Sequence, residues 1–295
     1  MLVKKIDCCP ICHTLKNPVS VASINEHARN QYLVYSKIKY NGFIDDWLEQ
    51  LELTIDHCPN CGHYWYREQP DQLMLNDMYE SGRPLHPEKA KNDRAASPKM
   101  IAEMSRLMRL AVKPEPKLLD YGSGFGRWAR AAINVGFKVT AYEPSEERGV
   151  EKSEIDFTLV HDVADFDNRL FDVINLEQVL EHVPDPVELL KELRIYCTPD
   201  TIVRITVPNI LRCPEGNNIW KEWPYNGERA HTMAPFEHLH GFTPNSLETV
   251  AIRAGFKSVN NLYTWVQYPK EMLRSYIGKL FPKFGQTFLL LKINE

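Results

Sequence analysis

The stretch Lys117-Leu-Leu-Asp-Tyr-Gly-Ser-Gly-Phe-Gly-Arg-Trp-Ala-Arg-Ala-Ala132 constrains this chain more than any other. Leu118 and Leu119 read as a short buried strand, Gly122, Gly124 and Gly126 as a turn, and Trp128, Ala129 and Ala132 as the apolar positions of a helix. A strand that runs through glycines into a helix lets the backbone approach a ligand closely, beside a helix N-terminus. Taken alone, such a turn suits NAD, FAD or a nucleotide equally, and an ordinary tight turn is the bland alternative. Asp120 sits just before the first glycine, where open α/β sheets place their ligand crevice. Its charge would repel a pyrophosphate and favours a ligand with a positive centre or an amine.

The segment Asp120-Tyr-Gly-Ser-Gly-Phe-Gly126 resembles motif I of the class I S-adenosylmethionine-dependent methyltransferases. Leu180-Glu-His-Val-Pro-Asp-Pro186 resembles a signature of the small-molecule branch of that family, and so does Phe236-Glu-His-Leu-His-Gly-Phe-Thr-Pro-Asn-Ser-Leu247. The resemblance covers residues 97–295. It implies an α/β fold with a Rossmann-like seven-stranded sheet whose last hairpin is antiparallel, and S-adenosylmethionine as cofactor.

Length and composition agree with a sizeable domain joined to a small one: 295 residues, 43% hydrophobic and 25% charged. No apolar run is long enough to span a bilayer, and the N-terminal ten residues lack the apolar core of a signal peptide. We therefore expect a cytoplasmic protein with no membrane partner. In a reducing compartment the seven cysteines favour metal over disulfides. A net charge of −4 argues against a nucleic-acid partner.

Residues 1–80 read as a zinc-binding module. Cys9-Pro-Ile-Cys12 and Cys58-Pro-Asn-Cys61 are two Cys-x-x-Cys turns, each aiming two thiolates at one point. Together they complete a tetrahedral, closed Zn²⁺ site of the structural kind. The 45 residues between Cys12 and Cys58 exceed compact ribbon spacing, so the module is ribbon-like with an insertion. A redox pair or unligated cysteines are the alternatives, with Cys8, His13 and His63 as substitute ligands. A module this small lacks a core to fold easily without metal. Strand-like runs occupy 3–6, 51–55 and 63–66. Inside the insertion, 30–38 alternates like a strand and 44–51 reads as a short helix. A helix over 71–80 follows Pro70; its Tyr79 reads as core, with a cover over the cofactor as the alternative. Residues 81–96 read as a linker.

In the domain 97–295, Ser97-Pro98 starts a helix as N-cap and first-turn proline. The second strand, 137–143, ends in Glu143-Pro144. Glu143 lies 23 residues after Asp120, near the offset at which a carboxylate accepts ribose hydroxyls in dinucleotide sites. A solvated strand-end acid is the alternative. The third strand, 155–160, precedes Asp162, which the resemblance places at the adenine amino group and which would otherwise be a helix cap. The fourth, beginning at Phe171, brings Glu177 and Gln178 to the reaction centre. Asp185-Pro186 caps a helix with Val187, Leu190, Leu193 and Ile195 as core; Glu181 and His182 read as structural, with a role near the methyl group left open. After a fifth strand at 201–208, the loop 209–241 is long and rich in aromatics and histidines, as functional loops are. The helix after Thr243-Pro244 carries Leu247, Val250 and Ile252 and closes at Gly255. Segments 259–268 and 286–293 read as the last two strands, with a basic, aromatic excursion between them over 271–285.

These features point to methyl transfer onto a small-molecule acceptor. A two-knuckle module on this branch resembles methyltransferases acting on sugars, often nucleotide-linked, which makes such a sugar the leading partner. His238 and His240, two residues apart in an extended segment, would point the same way, one as base and the other as its support; Glu177 and His182 are further catalytic candidates. A nucleic-acid or protein modifier with a zinc reader, or a non-catalytic cofactor-binding scaffold, are the alternatives.

Overall fold

The computed structural model describes residues 3–14, 17–80, 95–111, 113–145, 157–166, 169–213, 215–220, 225–226, 229–230, 232–281, 283 and 287–294. The N-terminal region begins with strand β1 (Val3–Lys5), strand β2 (Val19–Ala22), helix α1 (Glu26–Lys39) and helix α2 (Asp45–Gln50). Strands β3 (Ile55–His57), β4 (Tyr64–Tyr66) and β5 (Glu68–Pro70) follow, then helix α3 (Gln72–Glu80). The strand expected over 30–38 is a helix. Asn25 caps it by accepting the Ala28 N–H (2.8 Å), and Ala28, Tyr32, Tyr35 and Ser36 form its buried stripe at helical spacing. The loose alternation was carried by Val34 and Ile38, which are solvent-exposed. The side chain of Tyr79 and most of the expected linker, 81–94, lie outside the described residues.

The second region opens with helix α4 (Pro98–Leu110), whose Ser97 accepts the Met100 N–H (3.3 Å). Strand β6 (Lys117–Tyr121), helix α5 (Arg127–Ile133), strands β7 (Lys138–Tyr142), β8 (Thr158–Val160) and β9 (Phe171–Glu177), and helix α6 (Pro186–Arg194) come next. The part of the third strand expected at 155–156 lies outside the described residues. Strand β10 (Cys197–Thr206) leads through the long loop, with its small hairpin β11 (Tyr225–Asn226) and β12 (Arg229–Ala230), to strand β13 (His240–Gly241). Helix α7 (Pro244–Arg253), strand β14 (Phe256–Ser258), helices α8 (Leu262–Gln267) and α9 (Pro269–Leu280), and strand β15 (Phe288–Ile293) complete the chain. The penultimate strand is β14. The expected strand over 259–268 is mostly α8, because Asn261 and Thr264 form a reciprocal capping box that starts a helix there. Ile195 and Ile252, expected in the core, are exposed; Leu189 and Ala251 are buried instead.

Seven strands form one sheet in the order β14-β15-β10-β9-β6-β7-β8. The β10-β9-β6-β7-β8 run is parallel, and β15 lies antiparallel to both β10 and β14. This is the Rossmann-like seven-stranded order, with an antiparallel last hairpin, that the resemblance implies. The strand order reverses between β6 and β9, which opens a crevice at their carboxyl ends. Leu119, Ile174, Leu176, Val203 and Ile205 are buried in the core on which the sheet's helices pack.

The N-terminal region is not separate from this body. A second sheet, β13-β4-β3-β2, takes its edge strand from the long loop, with His240 opposite Trp65 and Gly241 opposite Tyr64. Tyr32, Tyr40, Leu48, Tyr66, Trp220, Met233, Phe236 and Leu239 share one core. Among the described residues no helix is long and apolar enough to cross a membrane.

Candidate active site

The glycine turn sits at the carboxyl end of β6. Gly122, Gly124 and Gly126 all have positive φ (72°, 53° and 74°), a region that residues with a Cβ adopt only at a cost. Their surroundings differ. A Cβ on Gly122 would meet Val179 at 2.9 Å and one on Gly126 would meet Phe157 at 2.8 Å, whereas one on Gly124 would have nothing within 4 Å among the described residues. Gly122 and Gly126 are therefore fixed by packing, and Gly124 faces open space where a ligand can lie against backbone.

Glu143, one residue past β7, reaches back to this turn. Its Oε2 accepts the Gly124 N–H (2.8 Å) and its Oε1 the Ser145 N–H (3.2 Å), so the carboxylate is held at the turn's rim. Pro144 beside it is exposed. Exposed Asp162 caps the turn 163–166, its Oδ1 accepting the Ala164 N–H (2.9 Å). Asp120 lies deeper: it is 2% exposed, its Oδ1 accepts from Asn175 Nδ2 (2.8 Å), and burial pushes its pKa up to about 6. Open space before Gly124, a carboxylate at its side and an acid below it fit S-adenosylmethionine, whose ribose offers hydroxyls and whose methionine end offers a cationic amine and sulfonium.

The sequence did not single out Asn175 and Arg204, although a polar residue inside Val-Ile-Asn-Leu and one inside Ile-Val-Arg-Ile were visible there. Parallel registry aligns Asp120, Asn175 and Arg204 across β6, β9 and β10. Arg204 Nη1 donates to Asn175 Oδ1 (2.8 Å) and Glu177 Oε2 (2.6 Å), and Nε donates to Glu103 (3.0 Å). The guanidinium lies over Trp128, 4.8 Å from the ring centroid. Glu177 is thus tied to Arg204 at the strand's end.

Beyond β9 the backbone is strained: Gln178 has φ of 56°, and Val179 packs under Gly122. The following residues bring Glu181 and His182 to the same edge, and His238 joins them from the long loop, its ring 4.6 Å from that of His182. Ligand-type atoms of the three lie within 4.8 Å of one another. Glu181 is buried, and desolvation raises its pKa to about 8.

His238 and His240 do not share a site. His240 enters β13, where its Nδ1 is 3.0 Å from His63 Nε2 and its ring packs by Phe242; burial lowers its pKa to about 4. The cause is the second sheet: pairing of β13 with β4 commits His240 to the N-terminal region, while His238, just before the strand, stays with His182. Glu237 turns to the N-terminal region as well, accepting from Lys39 (2.5 Å) and Tyr35 (3.3 Å).

The four cysteines converge. Cys9 Sγ is 3.6 Å from Cys61 Sγ, Cys12 Sγ is 3.5 Å from Cys58 Sγ, and all four sulfurs lie within 4.8 Å of one another. Four thiolates on a tetrahedral zinc at about 2.3 Å stand roughly 3.8 Å apart, so this donor set fits the ion. Asn245 Nδ2 donates to the Cys61 carbonyl (2.9 Å), fastening the knuckle to the start of α7. A separate cleft of about 330 Å³ lies between Val21, Ile55 and Tyr64 of the second sheet and Ile210, Leu211 and Ile219 of the loop, away from the glycine turn.

An uncharacterized methyltransferase of Schizosaccharomyces pombe is 28% identical over 210 residues, covering 60% of this chain and 70% of its own. Burkholderia thailandensis 1,6-didemethyltoxoflavin-N1-methyltransferase, solved with 1,6-didemethyltoxoflavin and S-adenosylhomocysteine, is similar with a TM-score of 0.44 and 17% identity, over 81% of this chain and 99% of its own. The plantazolicin methyltransferase BamL, solved with a triazolic desmethylPZN analog and SAH, gives a TM-score of 0.48 and 11% identity, over 71% of this chain and 90% of its own. Residues 93–261, more than half of the chain, match the methyltransferase domain family. The glycine turn and its carboxylates thus lie in a chain that belongs to this family and is an S-adenosylmethionine-dependent methyltransferase.

Proposed function

We propose that this methyltransferase acts on a small-molecule acceptor, a sugar or nucleotide-linked sugar, with Zn²⁺ held by Cys9, Cys12, Cys58 and Cys61 as a structural ion. The sugar reading is supported by the joining of a four-thiol module to the Leu-Glu-His-Val-Pro-Asp-Pro branch. Gly122 and Gly126 shape the turn by packing and Gly124 lets backbone approach the cofactor, Glu143 and Asp162 take its ribose and adenine, and Asp120 gives its cationic end a negative field from below. S-adenosylmethionine, when bound, supplies a methyl group activated on a sulfonium. The protein's part is to hold the acceptor in line and to accept a proton from it.

The observation that carries this assignment is the meeting of His182 and His238 at the edge that holds the glycine turn. Each ring donates Nδ1–H to a backbone carbonyl, which sets the tautomer and puts the basic lone pair of a neutral ring on Nε2. The test is turnover of labelled S-adenosylmethionine with metabolite extracts and purified sugar nucleotides. With an acceptor in hand, His238→Gln and His182→Gln are expected to lower kcat by about 10²–10⁴ with cofactor affinity nearly intact. Wild-type turnover in both removes them from the mechanism.

A further inference from the structure

Past the end of β9 three side chains form a set that proton transfer alone does not require. Glu181, His182 and His238 each bring one ligand-type atom within 4.8 Å of the others. His182 donates Nδ1–H to the Glu237 carbonyl (2.6 Å) and His238 to the Thr232 carbonyl (2.9 Å). Both tautomers are thereby set with the lone pair on Nε2, and a backbone carbonyl behind each ring is the outer-shell support that metal-bound histidines use. Glu181 is 1% exposed, and neither of its carboxylate oxygens has a hydrogen-bond partner among the described residues. A buried polar group in that condition is costly unless something compensates it. An ion bound by two imidazoles and that carboxylate would supply the compensation.

We infer that Glu181, His182 and His238 bind one divalent transition-metal ion, separate from the four-cysteine site, and that acceptor oxygens complete its coordination. Two histidines and one carboxylate with open positions is a donor set suited to zinc, manganese or ferrous iron; imidazole is a poor partner for magnesium or calcium. Bonds of about 2.0–2.2 Å would draw the three side chains together. The inference rests on reading this edge as the acceptor's seat, and it changes how the acceptor is activated. On the ion, an acceptor hydroxyl loses its proton to solvent and keeps the O–H electron pair. That pair forms the new O–CH₃ bond as the S–CH₃ bond breaks and the sulfonium becomes a thioether. The imidazoles then serve as ligands, and without the ion they remain the bases.

Titration of the full-length protein, prepared with one zinc per chain, with Mn²⁺, followed by electron paramagnetic resonance, tests this. We expect one saturable Mn²⁺ per chain. Glu181→Gln and His182→Ala, checked for folding by circular dichroism and S-adenosylhomocysteine binding, should weaken it by at least the roughly 10–100-fold that loss of an outer-shell partner causes. If Glu181→Gln does not fold, His182→Ala carries the test. No saturable binding at millimolar Mn²⁺, or unchanged binding in the folded variants, overturns the inference. So does a chelator-treated protein that methylates at full rate while His238→Gln is inactive, an outcome that leaves the histidines as bases. Variants that lose Mn²⁺ but keep turnover would support the ion and overturn the acceptor reading instead.

Discussion

Glu143 divides its two carboxylate oxygens between the Gly124 and Ser145 N–H groups, so one side chain fixes both the glycine turn and the rim beside it. Glu143→Ala is expected to weaken S-adenosylmethionine and S-adenosylhomocysteine binding by about 2–3 kcal/mol, the worth of a lost pair of charge-assisted hydrogen bonds. Calorimetry reads this directly, and an unchanged affinity would mean the carboxylate does not face the cofactor. Asp120 makes a pH-dependent contribution. Its pKa rises on folding from 3.8 to about 6 through burial, so the folded chain holds that proton more tightly than the unfolded one. The associated stability is complete below about pH 4 and is lost as pH rises through about 6, by roughly 3 kcal/mol at most. Urea melts of Asp120→Asn should lack that decline, and curves parallel to wild type across pH 4–7 would sink the assignment. The types of these residues were legible in the sequence. Their partners were not, because Asn175 and Arg204 reach Asp120 only through strand registry.

At the scale of elements, the four-cysteine cluster closes turns that bracket β2, α1, α2 and β3. Elemental analysis is expected to find about one zinc per chain. Cys58→Ser should expose the amides of β3, β4 and β13 to hydrogen exchange well before those of β6, β9 and β10, because metal binding and local folding are coupled. Zinc-free protein with those three strands fully protected would refute the structural role. Local signals served well wherever they were chemical. Ser97, Asp185 and Thr243 each accept backbone N–H groups at a helix start, as residues of their kind do. Pattern alone served less well: the alternation over 30–38 was accidental, and the Asn261–Thr264 capping box outweighed the apolar run that followed it.

At the scale of the molecule, the long loop and the N-terminal region make one structure. Tyr32 Oη donates to the Pro235 carbonyl (2.7 Å) and Tyr66 Oη to the Met233 carbonyl (2.5 Å); Lys39 pairs with Glu237, and β13 completes the second sheet. A fragment of residues 97–295 would leave Trp220, Met233, Phe236 and Leu239 without the core they share with the first 80 residues. We expect this fragment to bind a hydrophobic dye and to lose turnover, since His238 is positioned by the same loop, while the glycine turn keeps much of its S-adenosylhomocysteine affinity. Dye fluorescence, calorimetry and a turnover assay separate these effects. A fully active, dye-silent fragment would show that the loop folds without the N-terminal region.

What the sequence determined by itself was everything written in contiguous residues: the glycine turn, the strand-end acids, the helix caps and the two Cys-x-x-Cys pairs. Each is a local rule in which a backbone angle, a cap or a short ligand spacing selects the residue type. The tertiary structure decided what depends on neighbours distant in the chain. It joined β13 to β4 and so sent His240 to His63, and it aligned Asp120, Asn175 and Arg204 in one row. It also brought His238 across from the long loop to Glu181 and His182. The side chains that meet past β9 were visible one by one, but their meeting was not, because their proximity arises from two sheets sharing a single loop.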